Sequence, residues 1–206
     1  MTSLRGGIKL TLMKKLSTYL FLVLFSFSAP SFADDIRDFQ IEGMSIGDSL
    51  LDYFGEDKIK NHLHFPYISD KYALWVNPEN VSFEIFDGIQ VHVKKNDPQY
   101  IIKALDGHIY YYENIKECYP KKKEIKKDLK KLFYSAQEQN DTSKHYLDKS
   151  GKSKVEKTIF QFTSGDSIYL ECYDWSKKMQ YGDKLSVSIR TKEMMDFINN
   201  DGSGDM

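Results

Sequence analysis

Residues 157–174 read KTIFQFTSGDSIYLECYD, and this stretch decides the kind of fold that the sequence predicts. Residues 157–163 and 167–174 are rich in β-branched and aromatic side chains, which are typical of strands. Ser164-Gly165-Asp166 between them suits a tight turn, so the two runs predict an antiparallel hairpin. Alternation in the second run places three side chains on one face, namely Ile168, Leu170 and Cys172.

Other runs with strand-like alternation or composition lie on both sides of this hairpin. They are residues 81–85, 90–94, 100–105, 108–112 and 185–190. Turn-forming residues such as Asp87-Gly88 separate the earlier runs, and links this short favour antiparallel neighbours. The sequence therefore predicts an antiparallel sheet of about six strands.

Three amphipathic segments predict the helices that pack on this sheet. An N-terminal helix begins near Leu50, a central Lys-rich helix covers 117–135, and a short C-terminal helix covers 192–199. The polar stretch 140–154, NDTSKHYLDKSGKSK, predicts a mobile loop. The order of strands, helix, strands and helix favours an α+β fold.

The first 33 residues have the pattern of a secretory signal peptide. Met13-Lys14-Lys15 forms a basic start, residues 16–27 are mostly apolar, and Ser31-Phe32-Ala33 places small residues at a cleavage site. The apolar run is too short for a membrane span, which needs roughly 20 residues. We predict cleavage after Ala33 and a periplasmic or secreted protein.

After this cleavage the chain is mildly acidic. The full sequence has 29 basic and 30 acidic side chains, and residues 1–33 contain four of the basic ones and no acid, so the net charge becomes −5 with His neutral. We predict a single globular domain over residues 34–200 and a flexible tail over 201–206. A domain of this size buries roughly 70% of its unfolded surface and needs no metal or cofactor for stability. The chain has no Walker A, GxGxxG or HExxH motif, so we predict no cofactor.

The two cysteines, Cys118 and Cys172, predict a disulfide. An exported chain folds in an oxidising compartment, where paired cysteines usually become cross-linked. Cys118 lies 7, 11 and 14 residues before Ile125, Leu129 and Leu132, which is helical spacing. Both thiols therefore point toward the same helix-on-sheet interface. Two buried free thiols and a metal site stay open as alternatives, although no CxxC motif supports the metal site.

Gly47-Asp48-Ser49-Leu50 spells the motif of the GDSL family of serine esterases and lipases. A serine nucleophile also needs an imidazole base, a carboxylate that orients it and donors for the oxyanion. None of the five histidines has an Asp three residues before it, and the chain has no Gly-x-Asn-Asp block. Ser49 and Asp52 instead have the spacing of residues that start a helix. We therefore predict that the protein is not an enzyme, with a GDSL-type hydrolase as the disfavoured alternative.

The central helix carries a basic surface that is a candidate for binding an anionic partner. Its lysines are Lys121, Lys122, Lys123, Lys126, Lys127, Lys130 and Lys131. Such a surface attracts anionic lipid or an acidic envelope protein, whereas export argues against nucleic acid. The plainer interpretation is that these lysines form the solvated side of a helix that covers a sheet.

Aromatic residues form a second candidate surface. Tyr110-Tyr111-Tyr112 must place at least one ring on the outer face of its strand, and Tyr173-Asp174-Trp175 closes the predicted hairpin. Exposed Tyr and Trp side chains anchor partners or stack on sugar rings. The alternative is that these rings cap the ends of the β core.

Three stretches carry a resemblance to known proteins. They are IEGMSIGDSLLDYF (41–54), YIIKALDGHIYYYENIKECYPKKKEIKKDL (100–129) and GDSIYLECYDWS (165–176). Together they resemble a group of uncharacterised exported proteins of marine alphaproteobacteria over most of the mature chain. The first stretch is also similar to the start of small envelope lipoproteins of the BamE type, in which a Gly-Met-Ser or Gly-Met-Thr turn leads into a short helix before a sheet. This chain lacks their lipid-attachment Cys and has more strands, and neither resemblance brings catalytic residues.

The leading expectation is a periplasmic α+β protein that binds a ligand or stabilises an envelope complex without covalent chemistry. It depends on the export signal, the cysteine pair and the lack of an assembled catalytic set. A lipid- or carbohydrate-binding module that uses the Tyr, Trp and Lys surfaces is the other alternative to a hydrolase. The sequence does not identify the partner.

Overall fold

The structure, a computed structural model, describes residues 35–200. The predicted signal peptide, residues 1–33 with its cleavage site at Ala33, and the predicted tail, residues 201–206, lie outside the described residues. The described chain forms eight strands and three α-helices.

The strands are, in chain order, β1 (Leu63–His64), β2 (Tyr72–Val76), β3 (Gly88–Lys94), β4 (Ile102–Tyr110), β5 (Gln137–Lys144), β6 (Lys154–Gln161), β7 (Ser167–Asp174) and β8 (Lys184–Arg190). The α-helices are α1 (Glu56–Asn61), α2 (Cys118–Leu132) and α3 (Lys192–Asn200). Short 3₁₀ turns cover Ile36–Asp38, Leu50–Asp52, Ile115–Glu117 and Lys177–Met179.

All eight strands form one antiparallel sheet, in the order β1-β2-β3-β4-β8-β7-β6-β5. Strands β1 to β4 form one meander and β5 to β8 form a second. The meanders meet where β4 pairs with β8, with Ala104 opposite Arg190 and Tyr110 opposite Lys184. Helix α2 follows the first meander and helix α3 follows the second.

The predicted α+β class is confirmed, but the prediction of about six strands is wrong because the sheet has eight. The sequence pattern does not predict β1, β2 or β5, and the strand that it predicts at 81–85 is not present among the described residues. The backbone amides of Glu84, Ile85 and Phe86 donate instead to the carboxylate of Glu42, at 2.7–3.0 Å. These amides are therefore satisfied without a neighbouring strand.

The stretch 140–154, predicted as one mobile loop, contains the end of the edge strand β5. This strand pairs with β6 along its whole length, but most of its side chains are exposed, so its sequence shows no apolar alternation. The connection at 145–153 is organised by Asp148, whose carboxylate accepts hydrogen bonds from the backbone and hydroxyl groups of Ser150 and Ser153 and from the hydroxyl of Ser176. Hydrogen bonds from Ser150 and Ser153 hold the pKa of Asp148 well below its usual value.

Alternation along the strands gives the sheet two different faces. The core face carries apolar side chains and is covered by α2 and by the segment 36–54. Its fully buried side chains include Trp75, Val91, Leu105, Leu170, Val187 and Ile189. We call the opposite face the polar face. Helix α3 covers one end of it, where Met194 and Phe197 pack on Tyr72 and Ala104.

The predicted disulfide between Cys118 and Cys172 is confirmed, with the two Cα atoms 6.1 Å apart. It joins the first turn of α2 to β7, and the two residues are only 0% and 1% exposed. The cross-link therefore lies inside the interface between helix and sheet, as the spacing of the apolar residues predicts.

We expect the loss of this disulfide to weaken the fold strongly. Because the two cysteines are 54 residues apart, the chain-entropy relation gives a loss of about 4 kcal/mol in the free energy of unfolding. Urea denaturation of the wild-type protein with and without reductant measures this loss. The variant Cys118→Ala/Cys172→Ala is the control, because its unfolding should not respond to reductant. Unchanged wild-type stability in reductant would contradict the prediction.

Candidate binding site on the polar face

The centre of the polar face carries a group of polar side chains that we call the polar strip. Its members are Asp106, His108, Glu171, Lys184, Ser186, Ser188 and Arg190. They come from three adjacent strands, because β8 lies between β4 and β7. The register places His108 and Glu171 on either side of Ser186, and Asp106 beside Ser188. Since neighbouring strands lie about 4.8 Å apart, the strip gathers side chains that are distant in the sequence.

A hydrogen-bonded chain anchors one side of the strip. The hydroxyl of Tyr67 bonds to Nδ1 of His92, and Nε2 of His92 lies 3.0 Å from a carboxylate oxygen of Asp106. The other carboxylate oxygen of Asp106 lies 3.5 Å from the guanidinium of Arg190. Burial would raise the pKa of Asp106, but the hydrogen bond with His92 and the charge of Arg190 hold that pKa well below its usual value. Asp106 is therefore a fixed anion at neutral pH.

The opposite side of the strip is built around Glu171 and Arg190. The hydroxyl of Tyr173 donates to Glu171 at 2.9 Å, and the guanidinium of Arg190 lies 4.7 Å from the centre of the Tyr169 ring. Burial would lower the pKa of Arg190, but the nearby carboxylates outweigh it and raise that pKa. The ammonium group of Lys184 lies 5.4 Å from the centre of the Tyr173 ring. The strip thus combines two carboxylates with two cations.

His108 differs from its neighbours because its imidazole is buried without a hydrogen-bond partner. Only 4% of the residue is exposed, and neither ring nitrogen has a partner within residues 35–200. Burial, together with the charge of Lys184, lowers the pKa of His108 to about 3, so the ring is neutral at pH 7. A neutral imidazole offers one N–H donor and one acceptor. Because buried polar groups are nearly always paired, His108 is the member of the strip best placed to bind an added molecule.

Aromatic rings surround one end of the strip, and we call them the aromatic cluster. They are Tyr110, Tyr112, His145, Tyr173, Trp175 and Tyr181. Tyr110 and Tyr173 flank Lys184 across the sheet. Tyr112, which is 81% exposed, stacks on Tyr110 with ring centres 5.6 Å apart. Trp175 stacks on Tyr173 at 5.8 Å, so the cluster offers aromatic surface directly beside the charged groups.

A shallow groove adjoins the other end of the strip, between α3 and strands β5, β6 and β7. Its volume is about 300 Å³. Its polar lining includes the amide side chains of Gln139, Gln161 and Asn199, and the ring of Tyr169 also lines it. The same ring contacts Arg190 of the strip, so groove and strip share a wall.

The protein itself uses most of the Lys-rich surface of α2. The side chain of Lys122 is only 4% exposed, and its ammonium group donates to the backbone carbonyl and the carboxylate of Glu156. Lys126 and Lys130 both pair with Glu138 and, together with a hydrogen bond from a neighbouring amide, lower its pKa to about 2. Two further pairs lie within the helix, Lys121 with Glu124 and Lys131 with Asp128. Of the seven lysines in the predicted basic surface, Lys123 and Lys127 have no ion pair within residues 35–200.

Ser49 lies at the start of a 3₁₀ turn, as its spacing to Asp52 predicts. Its hydroxyl oxygen accepts the backbone N–H of Leu51, and the same hydroxyl donates to the backbone carbonyl of Gln99 at 2.5 Å. Ser49 thus holds the N-terminal segment against the chain that leads into β4.

Two other kinds of site find no support in the structure of residues 35–200. No three His, Cys, Asp or Glu side chains in this part of the chain lie close enough to share a metal ion. Among its helices, none is both long and apolar enough to cross a bilayer. The candidate site is the polar strip with its aromatic cluster and groove, because it contains the buried imidazole of His108. The sequence predicted the aromatic residues as a candidate surface but did not predict the strip. The sequence signal of the strip is a polar side chain at every second position of β8.

We expect acid to destabilise the protein through His108, because the pKa of this residue is lower in the folded protein than in the unfolded chain. An unfolded histidine titrates near 6.5 and the folded one near 3, so unfolding takes up a proton between these values. This predicts a fall of about 2 kcal/mol in the free energy of unfolding between pH 7 and pH 5. Urea denaturation at both pH values measures it.

The variant His108→Gln should lose this fall, whereas His64→Gln, at an exposed position, should keep it. An equal fall in the wild type and both variants would contradict the assignment of the effect to His108.

Comparison with known proteins adds no assignment to these residues. No protein-family model matches the chain, and neither does any curated protein or solved structure. The likenesses to exported alphaproteobacterial proteins and to the BamE type therefore stay expectations.

Proposed function

We propose that this protein is a non-catalytic binding protein of the periplasm that holds a polar ligand on its polar face. The proposal depends mainly on the imidazole of His108, which has no hydrogen-bond partner within residues 35–200. His108 lies two residues from Asp106 on β4 and is separated from Glu171 by Ser186, and both of these carboxylates already have hydrogen-bond partners. A molecule that hydrogen-bonds to His108 would give this imidazole the partner that buried polar groups usually have.

The bonding of the neighbouring side chains supports a preformed site. His92 fixes Asp106, Tyr173 fixes Glu171, and the ring of Tyr169 supports Arg190. Side chains that are held in place lose little further conformational freedom when a ligand binds. A strip on three paired strands is also more rigid than a site on loops.

The geometry gives less support to acid–base or nucleophilic chemistry. Tyr67, His92 and Asp106 form a hydrogen-bonded chain, but Tyr67 is only 7% exposed and burial raises its pKa well above the usual value. Its hydroxyl is therefore a poor nucleophile at neutral pH. The hydroxyl of Ser49 bonds to the backbone at two points. These observations favour binding over the hydrolase alternative.

We expect the protein isolated from the cell envelope to have a mass that corresponds to residues 34–206. The signal-like pattern of residues 13–33 supports this location. Intact-mass measurement should also show that Cys118 and Cys172 react with an alkylating agent only after reduction. The variant Cys118→Ala/Cys172→Ala should take up no label under either condition. An uncleaved chain whose thiols react without reduction would overturn the periplasmic assignment.

We also expect a polar compound to stabilise the wild-type protein through the polar face. The thermal midpoint Tm is measured with a panel of soluble mono- and oligosaccharides, free amino acids, nucleosides, short carboxylic acids and vesicles of anionic phospholipid. A ligand at ten times its Kd adds about 1.4 kcal/mol and raises Tm by about 4 °C.

The stabilisation should disappear in His108→Leu and remain in His64→Leu, the matched exposed control. Glu171→Gln, which preserves the shape of the side chain, is the second variant in case His108→Leu unfolds. A panel without any stabilising compound would overturn the proposal, and so would stabilisation that persists in both polar-strip variants. Labelling of Ser49 by a fluorophosphonate probe would overturn its non-catalytic part.

A further inference from the structure

We propose that the ligand of the polar strip is a saccharide, and specifically a chain of several sugar rings. The inference rests on the binding function proposed above and adds the chemical class of the ligand. It depends on the charge of the strip, on its hydrogen-bonding groups and on the aromatic rings around it.

The charges of the strip favour a neutral ligand. Asp106 and Glu171 contribute two negative charges, while Lys184 and Arg190 contribute two positive charges. His108 adds none, because burial and the cation of Lys184 keep its ring neutral at pH 7. An anion would meet two carboxylates and a cation would meet two positive groups, so neither gains net attraction. A neutral polar molecule meets no such opposition.

The hydrogen-bonding groups of the strip favour hydroxyl groups on that molecule. A hydroxyl both donates and accepts, and it is the common polar group of sugars. Carboxylates on Asp106 and Glu171 accept from hydroxyls, whereas Lys184 and Arg190 donate to them. The neutral ring of His108 does both, which matches a hydroxyl at each nitrogen. A ligand rich in hydroxyls therefore offers donors and acceptors that match these groups, above all His108, which has no partner within residues 35–200.

The aromatic cluster supplies the apolar surface that a sugar ring needs. The faces of pyranose rings carry C–H groups, which pack on the negative face of an aromatic ring. Tyr112 is 81% exposed and stacks on Tyr110, and Trp175 and Tyr181 contact each other with ring centres 4.9 Å apart. Tyr112 and Trp175 stack on Tyr110 and Tyr173, which flank Lys184 across the sheet, so the cluster lies at the edge of the polar groups.

The length of the surface favours several sugar rings over one. Lys184 and Arg190 mark the two ends of the strip and are six residues apart on β8, which corresponds to about 20 Å along the strand. Beyond Arg190 the surface continues into the groove of about 300 Å³ at α3, whose lining includes Gln139, Gln161 and Asn199. Amide side chains also donate and accept, so the same chemistry extends past the end of the strip.

The experiment is calorimetric titration of the full mature protein with soluble oligosaccharides of about two to six rings. The probes are linear oligomers of glucose, of N-acetylglucosamine and of galactose, each with its monosaccharide. We expect at least one oligomer to bind, and to bind more tightly than its monosaccharide because it contacts both ends of the strip.

Two aromatic variants, Tyr112→Ala and Trp175→Ala, test the stacking. Each should weaken binding of the oligosaccharide about five- to tenfold, by loss of one aromatic contact. The matched control is Tyr134→Ala, because Tyr134 is 60% exposed but follows helix α2, which packs on the core face. Since Tyr112 is largely exposed, its variant stays informative even when Trp175→Ala perturbs the fold.

The outcomes separate this proposal from the one on which it rests. When an amino acid, nucleoside, carboxylic acid or vesicle binds in a His108-dependent way and no saccharide does, the binding function stands and the saccharide class is wrong. When no compound binds, both proposals are wrong. If Tyr112→Ala and Trp175→Ala bind the oligosaccharide as tightly as the wild type does, the saccharide proposal for this surface is wrong. Binding that both variants weaken, and Tyr134→Ala leaves unchanged, supports it.

Discussion

The antiparallel pairing of β4 with β8 is the interaction on which the rest of this structure depends. Among the strands of residues 35–200, it is the only place where the meander of β1 to β4 pairs with the meander of β5 to β8. The paired strands are far apart in the sequence, since Ala104 lies opposite Arg190, so the contact forms only after the intervening segments have folded back. Helix α2 lies in the chain segment between β4 and β5. The disulfide between Cys118 and Cys172 joins this helix to β7, which is the neighbour of β8 in the sheet. Sheet centre and cross-link therefore stabilise the same part of the molecule.

The same pairing creates the polar strip, and the strip has a cost in stability. Buried charges lose their hydration, and their mutual attraction rarely repays that loss in full. If positions 106, 186 and 188 held apolar side chains, this face of the sheet could pack against a second layer of helices without burying any charge. Helix α3 instead covers only the end of the polar face near Tyr72 and Ala104. Proteins usually break local rules of stability at functional sites, which is the reason to interpret the strip as a site rather than as a packing defect.

The elements that the sequence predicted well are those whose signal is local. The stripe of Leu129 and Leu132 identified helix α2, and alternation around Leu170 identified β7 and the face that carries Cys172. β5 was missed because an edge strand with exposed side chains needs no apolar pattern, and its pairing with β6 is a backbone interaction. The strand predicted at 81–85 fails for a related reason, since the carboxylate of Glu42 takes the amide bonds there. In both cases the structure depends on hydrogen bonds of the backbone, which the pattern of polar and apolar side chains does not predict.

The candidate site could be predicted only in part, because its members share a face and not a motif. In β8, KLSVSIR, the serines at 186 and 188 alternate with Val187 and Ile189, which signals a strand with one polar face. That signal does not say that His108 lies across from Ser186, since the partner of β8 depends on long-range topology. The two serines are themselves only 3% and 0% exposed, and their hydroxyl oxygens lie 3.3 Å apart. The polar groups of β4, β8 and β7 therefore pack against one another across the three strands, and the position of each depends on a register that no single strand specifies.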